Sequence, residues 1–380
     1  MSDDLHVFST VAQIRTGRGA LSGIGETAAG FGTRCVLVTG RGSMRRLGVV
    51  DRALGYLAAA GVATSVFEGV EEDPTVSTVD LLRRRIADTR AQFVIGLGGG
   101  SAMDAAKAAG GLAREEAPAA DFLHKQTQAT EGLPVIAVPT TSGTGAEVTP
   151  NAVISDPEAR LKASLRNGHY LPAAAIVDPE LAVSCPPKVT AYSGLDAITQ
   201  AVESFVSIHA TPLTDALAFE AFCLLWPNVE RAYANGGEMD ARAACSYGSL
   251  LAGMALANAR LGAVHGIAHP LGVRYSMPHG LVCALLLPEV VRMNLPYSAV
   301  KFARLDRAAG MGLVEGAYAL NRRLGIYDDF GKYSIPEEDY GVIADESMPS
   351  GSLKANPKRF TREDVIEVLR AASGRRGGRA

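Results

Sequence analysis

A chain of 380 residues with 47% hydrophobic and 20% charged residues is long enough for two hydrophobic cores and far from the polar, highly charged mix of a disordered chain. Its formal net charge of -3 is spread along the sequence, which excludes the basic face that a nucleic-acid partner requires. Five scattered cysteines with no Cys-x-x-Cys pair disfavour a disulfide framework or a thiolate zinc site.

The N-terminal MSDDLHVFSTVAQIRTG places two acids where a secretory leader carries positive charge. No later stretch reaches the roughly 18 uninterrupted apolar residues of a membrane span. The expected setting is a reducing cytoplasm, with neither membrane nor nucleic acid as partner. Through the first half, short β-branched runs alternate with helix-period segments. Strands are predicted at Cys35 to Thr39, Ala63 to Phe67, Phe93 to Leu97, Val135 to Val138 and Ala175 to Asp178. That alternation predicts a mostly parallel, doubly wound sheet. From about Pro186 onward the texture changes to Ala- and Leu-rich stretches, among them AITQAVESF, ARAACSYGSLLAGMALANAR and SAVKFARLDRAAG, which predict helices. Pro186 and Pro187 mark the break, because proline can start or block a helix but not run through its middle. The reading is therefore an α/β domain over residues 1–185 and an all-α domain over residues 186–380. Residues 316–340 look like loops between helices, and the terminal SGRRGGRA like a frayed tail.

Two segments of the α/β half carry ligand chemistry. FVIGLGGGSAMDAAKAAG runs from an apolar strand into Gly98, Gly99, Gly100 and Ser101 and then a helix. Glycines allow a sharp turn and close backbone approach, and a helix N-terminus offers free N–H groups and partial positive charge to a pyrophosphate. A tight turn without ligand fits the same pattern, which is neither the dinucleotide fingerprint nor a P-loop. The next strand leads into Thr140, Thr141, Ser142, Gly143, Thr144 and Gly145. Two polar loops thus fall at the carboxyl ends of parallel strands, where ligands of open α/β sheets bind.

In the helical half, Asp196 and Gln200 stand four apart, as do His265 and His269, and His279 follows, so three of the seven histidines fall within fifteen residues. The i, i+4 spacing places both members of a pair on one helix face. Imidazole with carboxylate suits iron, zinc or manganese, and the lack of a cysteine in this cluster disfavours an iron–sulfur or structural zinc site. Polar helix pairs without metal are the competing interpretation.

GGGSAMDAAK, PTTSGTGAEVTPNAVI, IVDPEL, GLDAITQAVES and VHGIAHPLGVRYSMPHG occur in the order and spacing of the iron-containing (group III) alcohol dehydrogenases, across roughly residues 90 to 285. The chain resembles that family. The resemblance implies a Rossmann-like N-terminal domain, an all-helical C-terminal domain, and hydride transfer between a small alcohol or aldehyde and NAD or NADP. It assigns the pyrophosphate to Asp104 and the Gly98 to Ser101 turn, the adenine and nicotinamide side to Thr140, Thr141, Ser142 and Thr144, and the nicotinamide ribose to Lys162. Metal ligation falls to Asp196, His265 and His279, with His269 as proton relay. A homodimer or higher homo-oligomer is expected.

Two positions depart from the family pattern. Gln200 stands where a fourth ligand, usually histidine, is expected; its amide oxygen can coordinate but is a weaker donor, which leaves Fe(II), Zn(II) and Mn(II) all open. Gly40 stands where NAD-preferring members usually carry an aspartate that accepts from the ribose 2′-hydroxyl, so NADPH should be tolerated or preferred. Three alternatives stay open: reduction of a polar aldehyde such as phosphonoacetaldehyde or a sugar aldehyde, a lyase of the related dehydroquinate synthase fold, and a structural homologue without chemistry.

Overall fold

The structure, a computed structural model, describes residues 6–326 and 330–373. The chain forms two compact units, Thr10–Cys185 and a second that runs from Pro186 onward and also takes in residues 6–9. The expected first domain is corrected at its start. The Ser9 N–H donates to Asn258 Oδ1 and the Asn258 amide to the Ser9 carbonyl, so this short segment belongs to the helical unit.

The α/β unit contains β1 (Gln13–Thr16), β2 (Arg34–Gly40), β3 (Ala63–Val70), β4 (Phe93–Gly98), β5 (Val135–Pro139), β6 (Asn151–Asp156), β7 (Leu161–Arg166) and β8 (Ala174–Val177). Six of them form one sheet in the order β1-β8-β5-β4-β2-β3, with every neighbouring pair parallel. The five predicted strands are all present. β1, a short polar edge strand, and the antiparallel pair β6–β7 have no counterpart among the predicted strands. Successive residues of the central strands face opposite cores. Val36, Val38 and Val94 pack with helices Val76–Thr89 and Gly100–Gly111, whereas Leu37, Ile95 and Ile136 pack with Ile24–Ala29 and Val49–Ala59. Burial on both faces is why these strands are unbroken apolar runs rather than alternating ones.

From β2 the chain goes outward to β3 and then returns to β4 on the other side of β2. Strand order therefore reverses between β2 and β4, whose carboxyl ends are Gly40 and Gly98. That is the crevice where open α/β sheets bind ligands.

The helical unit is built on Pro187–Val206, Pro212–Leu225, Met239–Ala259, Ala263–Tyr275 and His279–Asn294, with shorter helices after them. Its core joins Phe205, Phe222, Leu225, Ile267, Leu281 and Leu287. At Gly280 a Cβ would lie 2.1 Å from the Tyr192 carbonyl oxygen, so only glycine lets helix His279–Asn294 approach helix Pro187–Val206 this closely. The stretch expected to be loops instead continues helix Leu313–Arg323 and then holds turns at Gly331–Tyr333 and Glu337–Asp339. Residues 327–329 and the basic tail from residue 374 lie outside the described residues. No single helix among the described residues is long and apolar enough to cross a membrane; Met239–Ala259 with Ala263–Tyr275 reaches that length only across a 100° bend.

A buried ionic cluster fixes the loop that follows β5. Lys107, fully buried, donates to the Ala146 carbonyl at 2.7 Å and to Thr149 Oγ1 at 3.2 Å. Its Nζ stands 3.6 Å from Asp104 Oδ1, and Asp104 Oδ2 accepts from the Val153 N–H. Burial pushes the neighbouring Glu147 carboxyl from its ordinary 4.5 up to about 7. The unfolded chain releases this proton first, so the Glu147 contribution to stability is present below about pH 4.5 and is lost as pH rises to about 7. Glu147→Gln should abolish that loss. Chemical denaturation at pH 5 and pH 8 should show the variant gaining about 3 kcal/mol on wild type between the two pH values, whereas parallel pH profiles would contradict the assignment.

Candidate metal centre and cofactor loops

Helix Pro187–Val206 carries Asp196, Gln200 and Glu203 at i, i+4 and i+7, a spacing that aligns them along one face. All three are 3% exposed or less. His265 lies in the first turn of helix Ala263–Tyr275, and His279 opens helix His279–Asn294 with Cys283 one turn behind it. These three helices bring His265 Nε2 to 3.2 Å and His279 Nε2 to 3.6 Å from Asp196 Oδ1.

Glu203 organises the arrangement from behind. Its Oε2 accepts from His265 Nδ1 at 2.6 Å and its Oε1 from the Val264 N–H at 2.6 Å. A carboxylate only accepts, so Nδ1 carries the proton and Nε2 is the atom turned toward Asp196. The carboxylate also caps the helix N-terminus, where negative charge is favoured. Gly262 makes room for it, since a Cβ there would lie 2.8 Å from Glu203 Oε1.

The electrostatics reflect crowded, enclosed charges. Burial works against the Asp196 charge, but His279 and His265 outweigh it and hold the carboxyl below its usual range. Burial also opposes charge on both imidazoles, yet Cys283 and the carboxylates, Glu203 at His265 and Asp196 at His279, raise them above their ordinary value.

The donors fit a divalent metal. Ligand atoms of Asp196, His265, His279 and Cys283 all lie within 4.8 Å of one another. Gln200 donates its amide N–H to Asp196 Oδ2 at 3.0 Å, while its carbonyl oxygen is buried with no hydrogen-bond partner, a costly state for a polar atom unless something else satisfies it. Asp196 and His265 side chains are 4% exposed and His279 is 34% exposed, so the cluster is open on the His279 side. The His269 ring, half-buried, sits 5.8 Å from that of His279.

The structure thus gathers Asp196, Gln200, His265, His279 and His269, and it corrects one expectation: a cysteine does belong to the cluster. Cys283 and Glu203 were both missed, although His279/Cys283 repeats the i, i+4 spacing used for Asp196/Gln200 and Glu203 lies one turn further along the same face.

In the α/β unit the two polar loops adjoin. The Thr140 N–H donates to the Gly98 carbonyl at 2.9 Å, and Thr141 and Thr144 side chains lie 3.6 Å and 3.0 Å from where a Cβ on Gly99 or Gly100 would stand. Helix Gly100–Gly111 begins at Gly99 without any side-chain cap and without an acid in its first turn, leaving its N–H groups for an anion. Beside it, Ser101 Oγ accepts from the Asp73 N–H at 3.4 Å, and Lys162 pairs with Asp73 at 2.7 Å. Asp104 is turned to Val153 and Lys107. Beyond β2, Arg45 is committed to Glu68 and Asp51 at 2.7 and 2.5 Å.

Comparison with known proteins agrees with this geometry. The family description "Iron-containing alcohol dehydrogenase" matches residues 12–179, and "Fe-containing alcohol dehydrogenase family, C-terminal" matches residues 190–373. The 1,3-propanediol dehydrogenase of Klebsiella pneumoniae is 35% identical, over 94% of this chain and 96% of its own length. The NADPH-dependent butanol dehydrogenase of Clostridium saccharobutylicum is 32% identical, over 95% and 96%. A crystal structure of 1,3-propanediol oxidoreductase superposes with a TM-score of 0.93 at 32% identity, covering 97% of this chain and 100% of that one. The chain belongs to the iron-containing alcohol dehydrogenase family. Its activity is that of an oxidoreductase of the alcohol dehydrogenase class.

Glu203→Gln keeps the shape but gives Val264 and His265 an amide in place of a carboxylate. Metal affinity, measured by competition with a chromogenic chelator, should fall about 10- to 100-fold. Unchanged affinity would show that Glu203 does not set the His265 donor atom.

Proposed function

We propose that the chain interconverts a small alcohol and its aldehyde with a divalent ion held by Asp196, His265 and His279, and that it accepts NADP(H) at least as well as NAD(H). The observation that carries this reading is the convergence of a buried carboxylate and two imidazoles on one point, with Glu203 fixing the tautomer of one of them. When bound, the metal supplies Lewis acidity to an alcohol or carbonyl oxygen, and the nicotinamide accepts or returns the hydride.

The residues of the chain do the positioning. Asp196 and His265, both enclosed, and the more exposed His279 would hold the ion, with His279 at the cluster's exposed edge. His269, stacked at a tilt beside His279, is placed to take the alcohol proton outward as the hydride leaves, and to return it in reduction. The free N–H groups at the start of helix Gly100–Gly111 hold the pyrophosphate. Thr141 and Thr144, packed against the glycines, form the wall beside it.

Cofactor choice turns on Gly40. No carboxylate stands at the end of β2, and Glu68 on the adjoining strand pairs with Arg45, which Asp51 shares. Position 40 itself offers a 2′-phosphate no repulsion. The NADPH dependence named for the butanol dehydrogenase relative supports the same choice.

Exhaustive chelation should abolish alcohol-dependent reduction of NADP+ and NAD+, and re-addition of Fe(II), Zn(II) or Mn(II) should restore it. Full turnover by chelated protein that is metal-free by elemental analysis would overturn the metal reading. Gly40→Asp tests the cofactor reading: a Cβ at this position meets only the Val70 carbonyl oxygen, at an unstrained 3.8 Å. The substitution should lower kcat/KM for NADPH at least about tenfold, a loss of about 1.4 kcal/mol, while sparing NADH. Equal loss for both cofactors would contradict it.

A further inference from the structure

One donor of the cluster is not among those the family resemblance implies, and it is sulfur. Cys283 is fully buried, and its Sγ lies 3.6 Å from Asp196 Oδ1, 3.7 Å from His279 Nε2 and 3.9 Å from His265 Nε2. For a tetrahedral ion with bonds of about 2.3 Å to sulfur and about 2.0–2.1 Å to nitrogen or oxygen, sulfur stands about 3.6 Å from each other donor, and nitrogen about 3.3 Å from oxygen. The observed nitrogen-to-oxygen separations are 3.2 and 3.6 Å. Five of the six edges are thus within about 0.3 Å of those of such a tetrahedron, and the sixth, between the two imidazoles, is no longer than 4.8 Å.

Gln200, by contrast, is turned to another task. Its amide N–H is spent on Asp196 Oδ2, which leaves Oδ1 as the oxygen facing both imidazoles and the thiol. Its carbonyl oxygen, in a residue 3% exposed, has no protein hydrogen-bond partner.

We infer that the Cys283 thiolate is the fourth ligand of the metal, taking the place of the imidazole that position 200 lacks, and that Gln200 is a positioning residue that orients Asp196. The inference rests on the reading of this cluster as a metal centre. On binding, a metal–sulfur bond forms as the S–H bond breaks, and the proton leaves to solvent. The ion would then have two anionic ligands, Asp196 and Cys283, which together balance its double charge, and a substrate oxygen would enter as a fifth ligand. A thiolate favours softer ions, so the site binds Zn(II) or Co(II) in preference to Mn(II), which favours oxygen.

The test loads the full-length protein with Co(II) and records its absorption spectrum. Wild type should bind one Co(II) per chain and show a sulfur-to-cobalt charge-transfer band in the near ultraviolet. The band should vanish in Cys283→Ser and persist in Gln200→Ala. By chelator competition, Cys283→Ser should weaken Zn(II) binding at least about tenfold, no less than loss of an outer partner costs, and leave Mn(II) binding nearly unchanged. One bound Co(II) per chain without that band, or with a band that survives Cys283→Ser, overturns the thiolate ligand while leaving the metal centre intact. Failure to bind Co(II) at all overturns the metal centre itself. Circular dichroism of Cys283→Ser and retained Mn(II) binding separate ligand loss from misfolding.

Discussion

Two carboxylates buried on one face of one helix set the terms for the helical unit. Asp196 and Glu203 are at most 3% exposed, on a helix whose neighbours Leu195, Ala197, Ile198 and Val202 belong to the apolar core. Charges taken so far from water are tolerated only with close, well-oriented partners. Most other features around them are ways of supplying those partners. His265 bridges the two acids, the N-terminus of helix Ala263–Tyr275 turns its N–H groups to Glu203 and Asn356, and Gly262 and Gly280 permit the close approaches this requires. A divalent ion held there would complete the same compensation and turn a stability problem into a reactive site.

The α/β unit offers the complementary arrangement, a place for an anion with no charge buried against it. Its means are backbone ones: a strand ending in glycines, a helix begun without a cap, and threonines lying where glycine leaves space. The buried Lys107 serves the fold. It ties the loop after β5 to the helix that carries the glycines through the Ala146 carbonyl, Thr149 and Asp104, so the two loops keep a fixed relation to each other.

How much of this was readable in the sequence follows from how local each signal is. Strands buried on both faces read as continuous apolar runs, and all five were placed to within a few residues. β1 was invisible because Gln13–Thr16 is a polar edge strand held by pairing with β8 rather than by its own pattern. The pairs Asp196/Gln200 and His265/His269 were legible from spacing alone, and the order of the family motifs joined them to His279. Cys283 was overlooked because cysteines were judged by the spacing of one to another, and this one has no cysteine partner. It finds its place through His279, one turn away on the same helix, and through two other helices that only the fold brings alongside. Glu203 escaped for the same reason, since its role becomes visible only when His265 Nδ1 lies 2.6 Å from it.

The most direct measurement is anomalous diffraction at the metal absorption edge from crystals of the zinc-loaded protein. A single strong peak per chain, within bonding distance of Asp196 Oδ1, His265 Nε2 and His279 Nε2, is the predicted result. A protein that oxidises alcohols with nicotinamide while showing no peak among those three atoms would contradict the central claim that this buried acid–imidazole cluster is the enzyme's metal centre.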